Sequence, residues 1–160
     1  MKKIVLAVAL VLLLATGVFA QKSEGIAKMN SILPRSNYSF VATKNPSVWV
    51  ALVPNSFGGK YKVITAVGDD DYSYGSQLVT FVTLTPKATL PDSLELYKKL
   101  ARLSHDYDRV KISLDSDDDL SIRIDSTVRI LDVQEFNVVV KQIVAACDSI
   151  MKEIQPQLVR

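Results

Sequence analysis

Cysteine and histidine are almost missing. Across 160 residues there is one of each, Cys147 and His105. A lone cysteine excludes an intramolecular disulfide. A lone histidine excludes a multi-histidine metal centre. His105, with Asp106 and Asp108 nearby, reads as a helix-terminus residue, where a basic group meets the negative end of the helix dipole. Cys147 falls in an apolar helical stripe, where a buried thiol acts as a small hydrophobe. As a nucleophile it would need His105 as base from a different helix.

Other chemical patterns are absent as well. No Gly-x-Ser-x-Gly turn occurs, and Gly58-Gly59 opens no helix, so it is not a phosphate cradle. Asp115, Asp117 and Asp119 resemble the start of a calcium loop. That loop needs Gly and Glu where Leu120 and Ser126 stand, so the run reads as a solvated hairpin turn. Asp69-Asp70-Asp71 reads the same way. The expectation is a non-enzyme with no catalytic residue, no metal and no cofactor.

Charge of one sign is lacking too. The formal net charge is +2, and Lys2 and Lys3 account for all of it. They precede an apolar run from Ile4 to about Ala15, followed by Thr16–Ala20. A basic start, a short apolar core and a small residue at the end predict a secretory signal peptide cut between Ala20 and Gln21. Ile4 to Phe19 is sixteen residues, short of the roughly 20 that a spanning helix requires. Residues 21–160 are then formally neutral, form one domain and leave no electrostatic case for nucleic acid or an acidic membrane. The expected location is the periplasm or the exterior.

What is present is periodicity. From Asp92 to His105, Leu94, Tyr97, Leu100, Ala101 and Leu103 recur at helical steps, with Pro91 in the first turn and an Asp92/Glu95 capping pair. Arg109–Asp115 and Leu120–Asp125 alternate strictly, with Val110, Ile112, Leu114 and Leu120, Ile122, Ile124 on one face. Ser116–Asp119 between them predicts a hairpin covered on one side. Asp132 caps a last helix, answered by Glu135, with Phe136, Val140, Ile143, Cys147, Ile150 and Ile154 as its stripe. Pro156 limits it.

Leu96–His105, the hairpin, Leu131–Phe136 and the ending Glu153–Leu158 together resemble the YbjN family, described as regulators of bacterial sensory transduction. In element order the resemblance spans about Ser31 to Leu158, and it is carried from about Leu94 onward. Ser104-His105 departs from the pattern, which expects Asn followed by a small or acidic residue. The resemblance implies a fold similar to that of the type III secretion chaperones and, with it, a homodimer.

Upstream, Glu24–Leu33 predicts a short helix with Ile26, Met29, Ile32 and Leu33 inside. Strands are predicted at 38–43, 48–53, 61–67 and 77–84, separated by turns at Asn45–Ser47, Pro54–Lys60 and Asp69–Gly75. The sum is an α+β domain of order α-β-β-β-β-α-β-β-α, an antiparallel sheet flanked by helices. Strands 48–53 and 77–84 carry apolar residues on both faces, which antiparallel strands wetted on one side do not. Each large side chain left in water forgoes roughly 1.5–3 kcal/mol of burial. Either the helices wrap both faces, or a face around Trp49, Ala51, Val53, Val79 and Phe81 binds something. The functional expectation is an exported interaction module, chaperone-like or regulatory, that binds a polypeptide or itself. The alternative is a carrier of a small apolar ligand between sheet and helices.

Overall fold

The computed structural model describes residues 23–68 and 77–158. The expected signal segment with its Ala20/Gln21 cut and the turn at Asp69–Gly75 lie outside the described residues. The chain is α+β, with helices α1 (residues 23–32), α2 (Leu94–Asp106) and α3 (Val133–Ile154). The strands are β1 (Val41–Ala42), β2 (Val48–Pro54), β3 (Lys60–Gly68), β4 (Gln77–Thr85), β5 (Val110–Leu114) and β6 (Leu120–Thr127). They form one sheet in the order β1-β2-β3-β4-β6-β5, with every neighbouring pair antiparallel. The expected first strand is cut to two residues, and the predicted order otherwise stands.

The turns explain the chain reversals. Between β2 and β3, Asn55 Oδ1 accepts from the N–H groups of Phe57 and Gly59 at 3.1 and 2.8 Å. Gly58 supplies the positive φ of 81° that a side chain resists. Between β5 and β6, Asp115 Oδ1 accepts from Asp117 and Asp119 N–H. Asp118 takes the left-handed conformation there, φ 61°, which aspartate tolerates better than most residues. β4 and β5 run parallel with β6 between them, so a crossover is required, and α2 provides it.

Both long helices have side-chain caps. Asp132 Oδ1 accepts from Glu135 N–H at 2.7 Å, while the Glu135 carboxylate turns away to Arg109, also at 2.7 Å. At α2 the expected Asp92 cap is corrected by one residue. Ser93 is extended and its Oγ accepts from Leu96 N–H at 3.4 Å, so Pro91 and Asp92 precede the helix. The stripe shifts as well: Leu96 and Leu100 are its buried residues, whereas Leu94, Tyr97 and Ala101 face outward.

All three helices contribute to one core. Met29 and Ile32 of α1, Leu96 and Leu100 of α2, and eight residues of α3 join it, Phe136 and Ile143 among them. The sheet contributes Trp49, Ala51, Val53, Val63, Val67, Leu78, Val82, Ile122 and Ile124. Cross-strand register explains this set, since Trp49 lies opposite Thr65, Thr65 opposite Thr80, and Thr80 opposite Ile124. Thr65 and Thr80 are fully buried, and their hydroxyls bond each other at 3.1 Å. Helices therefore cover one face of the sheet. None of the described helices is long and apolar enough to cross a membrane.

Candidate interaction surface

The opposite face is built by the alternate residues. Val48 pairs with Ala66 and Ala66 with Val79; Val50 pairs with Ile64 and Ile64 with Phe81. These six side chains are half-buried by one another, and none belongs to the core or to the apolar groups packed against it. Val41 extends the second row on β1, and Leu52 stands beyond it, 64% exposed.

This corrects the grouping expected from sequence. Trp49, Ala51 and Val53 are core residues, each no more than 4% exposed, whereas Val79 and Phe81 are on the outer face. The register decides it, since Phe81 stands opposite Ile64, and Ile64 opposite Val50 rather than Trp49. The expectation that helices might wrap both faces is corrected by the same alternation. The missed members, Val48, Val50, Ile64 and Ala66, alternate with the core residues of their strands, a signal visible in sequence once one core residue is known.

Toward β6 and β5 the outer face becomes charged. The row through Phe81 continues with Arg123 and then Lys111. Both hold Asp125, with Lys111 Nζ at 2.7 Å and Arg123 Nη2 at 2.9 Å from Oδ2. Burial acts to raise the Asp125 pKa, but the hydrogen bonds and charges of Lys111 and Arg123 outweigh it and hold the carboxyl below its ordinary value. Two cations against one anion leave this corner net positive beside the apolar rows.

The residues considered for catalysis are kept apart. Cys147 is fully buried in α3, and its thiol is pushed up to about 12 by burial and then by Asp148. Its neighbour Asp148 instead anchors the β2–β3 turn, accepting from Tyr61 Oη at 2.9 Å and Ser56 N–H at 3.1 Å. His105 is exposed in the last turn of α2. Among the described residues no three His, Cys, Asp or Glu side chains converge as a metal site would require. Between α2 and the β5–β6 hairpin lies an open groove of about 200 Å³. A second, of about 380 Å³, shares Tyr97 and Leu114 with it and is otherwise lined by Lys87, Leu90, Asp92 and Asp118, which puts it at the low end of the ~300–1,000 Å³ usual for small-molecule sites.

No protein-family model matches this chain, and no curated protein matches it.

Proposed function

We propose that this protein is an exported, non-enzymatic interaction module, chaperone-like or regulatory, that binds a polypeptide on the outer face of β2–β4. The observation that carries the reading is the pair of apolar rows, Val48–Ala66–Val79 and Val50–Ile64–Phe81, lying outside the core. Three strands at ~4.8 Å spacing and two side-chain rows give a patch of roughly 200 Å². A standard subunit interface covers about 800 Å² per partner. A single amphipathic helix, about 10 Å across, matches the patch better. The Lys111/Arg123 corner favours a segment with an acidic residue at that flank. The YbjN-like order of elements, with its regulatory association, is compatible with this role.

The test is site-specific photo-crosslinking from Val50 and Val79, with Ser113 on the polar half as control. A discrete polypeptide adduct from the first two positions, abolished by Ile64→Lys, is the expected result. Equal crosslinking from Ser113, or adducts indifferent to Ile64→Lys, would count against the outer face.

A further inference from the structure

The two grooves beside α2 form a trough with unlike lobes, on the helical side of the sheet. The apolar lobe, of about 200 Å³, contains Leu100 and Leu120, 6% and 1% exposed, with Ala101 and Ile112 beside them. The charged lobe, of about 380 Å³, carries Lys87, Asp92 and Asp118 together with Leu90. Tyr97 and Leu114 line both lobes, so the two adjoin there. These two side chains are 36% and 40% exposed, large apolar groups that the fold itself leaves uncovered.

The charged lobe is fixed in shape by hydrogen bonds within the chain. Lys87 N–H donates to Asp119 Oδ1 at 2.7 Å, and Lys87 Nζ donates to Asp118 Oδ2. Both tie the 3-10 turn Lys87–Thr89 to the β5–β6 turn. Leu90 N–H closes that turn on the Lys87 carbonyl at 3.0 Å. A 2.6 Å bond between the Thr85 and Thr89 hydroxyls fastens it to the end of β4. Such a trough is largely pre-formed, as small-molecule sites usually are. Its charge has a sign: among the lining groups one cation, Lys87, stands against two carboxylates, Asp92 and Asp118. Lys87 is engaged by Asp118, whereas Asp92 makes no ion pair among the described residues.

We propose that this trough binds an arylalkylamine, an aromatic ring joined by a short chain to a protonated amine. The ring enters the apolar lobe, which has room for it, since a cavity of ~150 Å³ lined by apolar side chains holds benzene. The ammonium enters the charged lobe and donates to Asp92 and Asp118, bonds strengthened by charge on both partners. Tyr97 sits where ring and amine meet, and a phenol serves both, being apolar along its ring and polar at its tip. An anionic head group would face two carboxylates with the one cation already taken. A wholly apolar ligand would leave the carboxylates beside it without a partner to offset their lost hydration. The apolar ligand considered from sequence thus acquires a charged head. The site shares no residue with the outer-face rows and does not rest on that reading.

The experiment is a titration of the purified protein with phenethylamine, followed by amide NMR, with phenylpropionate as a ligand bearing the same ring and the opposite charge. The expected result is saturable shifts at Lys87, Asp92, Tyr97, Ala101, Ile112 and Leu114, with phenylpropionate bound at least about tenfold more weakly. Ala101→Phe fills the apolar lobe from an exposed helix position and is expected to abolish saturation by either ligand. Asp92→Asn is expected to weaken the amine about tenfold while leaving phenylpropionate no weaker, a split that a merely structural role would not produce. Far-UV dichroism confirms the fold of both variants. Absence of saturable shifts at these amides overturns the proposal, as does equal affinity for the two ligands or amine binding that survives Ala101→Phe. Shifts gathered instead at Val50, Ile64 and Phe81 also overturn it and place the ligand on the outer face.

Discussion

The two halves of the sheet treat the outer face differently. Along the middle of β2, β3 and β4 both sets of alternate residues are mainly apolar, so burial of one set leaves the other uncovered. On β5 and β6 the outward positions are Lys111, Ser113, Ser121, Arg123 and Asp125, all polar or charged. One antiparallel sheet is thus wetted at one end in the ordinary way and is apolar on both sides at the other. The backbone architecture is the same across both halves, and helices lie on the same side of each. What differs is the chemistry of the residues opposite the core, apolar on β2–β4 and polar or charged on β5 and β6.

The sharpest way to break this comparison is to truncate aromatic groups on the two faces. Trp49→Ala removes a fully buried side chain and is expected to cost about 3–5 kcal/mol. Phe81→Ala removes a half-exposed one and is expected to cost about 1 kcal/mol. Urea denaturation of both variants measures this, and equal losses would mean that the outer face is core after all.

A smaller effect is expected at the buried threonine pair. Thr80→Val strands the Thr65 hydroxyl inside the core and is expected to cost about 1–3 kcal/mol. Replacing both threonines by valine leaves nothing unpaired and should cost less than the single change. A double variant that loses as much as the two singles combined would contradict the buried bond.

On the polar half, Asp125→Asn leaves Lys111 and Arg123 without their shared anion, with an expected loss of about 1 kcal/mol at neutral pH. The sign with pH follows from the lowered Asp125 pKa. Its contribution is complete above the unfolded value near ~3.9 and is lost as pH falls through the lower folded value. Stability of the variant should therefore fall less steeply in acid than that of the parent, as thermal melts between neutral pH and about pH 3 will reveal. Smallest of all is the expected response of Cys147. A thiol reagent at mildly alkaline pH should leave the native protein unlabelled and modify it only after unfolding, because burial keeps both thiolate and solvent away.

Much of the fold was legible because period and burial coincide wherever only one face is apolar. The hairpin Val110–Leu114 and Leu120–Asp125, the Asp132 cap and the Phe136-to-Ile154 stripe all follow from alternation or helical spacing, and the structure places them so. Failures came where spacing was ambiguous. In α2, Leu94, Tyr97 and Ala101 keep as good a helical period as Leu96 and Leu100, and packing against α3 and β5 chose the second set. The candidate surface differs more deeply, since a reading from sequence puts Trp49 and Phe81 on one face and the register puts them on opposite faces. Alternation within a strand fixes which residues are together, but only register between strands fixes which sets are joined across the sheet.

By itself the sequence determined the α+β class, the element order, the hairpin, and an excess of apolar residues on β2 and β4 for a sheet wetted on one side. Only the tertiary structure decided which set of each strand became core. The reason is that the two faces of those strands are nearly equal in hydrophobicity, so no local preference separates them. The choice falls to the side on which α1, α2 and α3 can all pack at once, and that is a property of the whole chain.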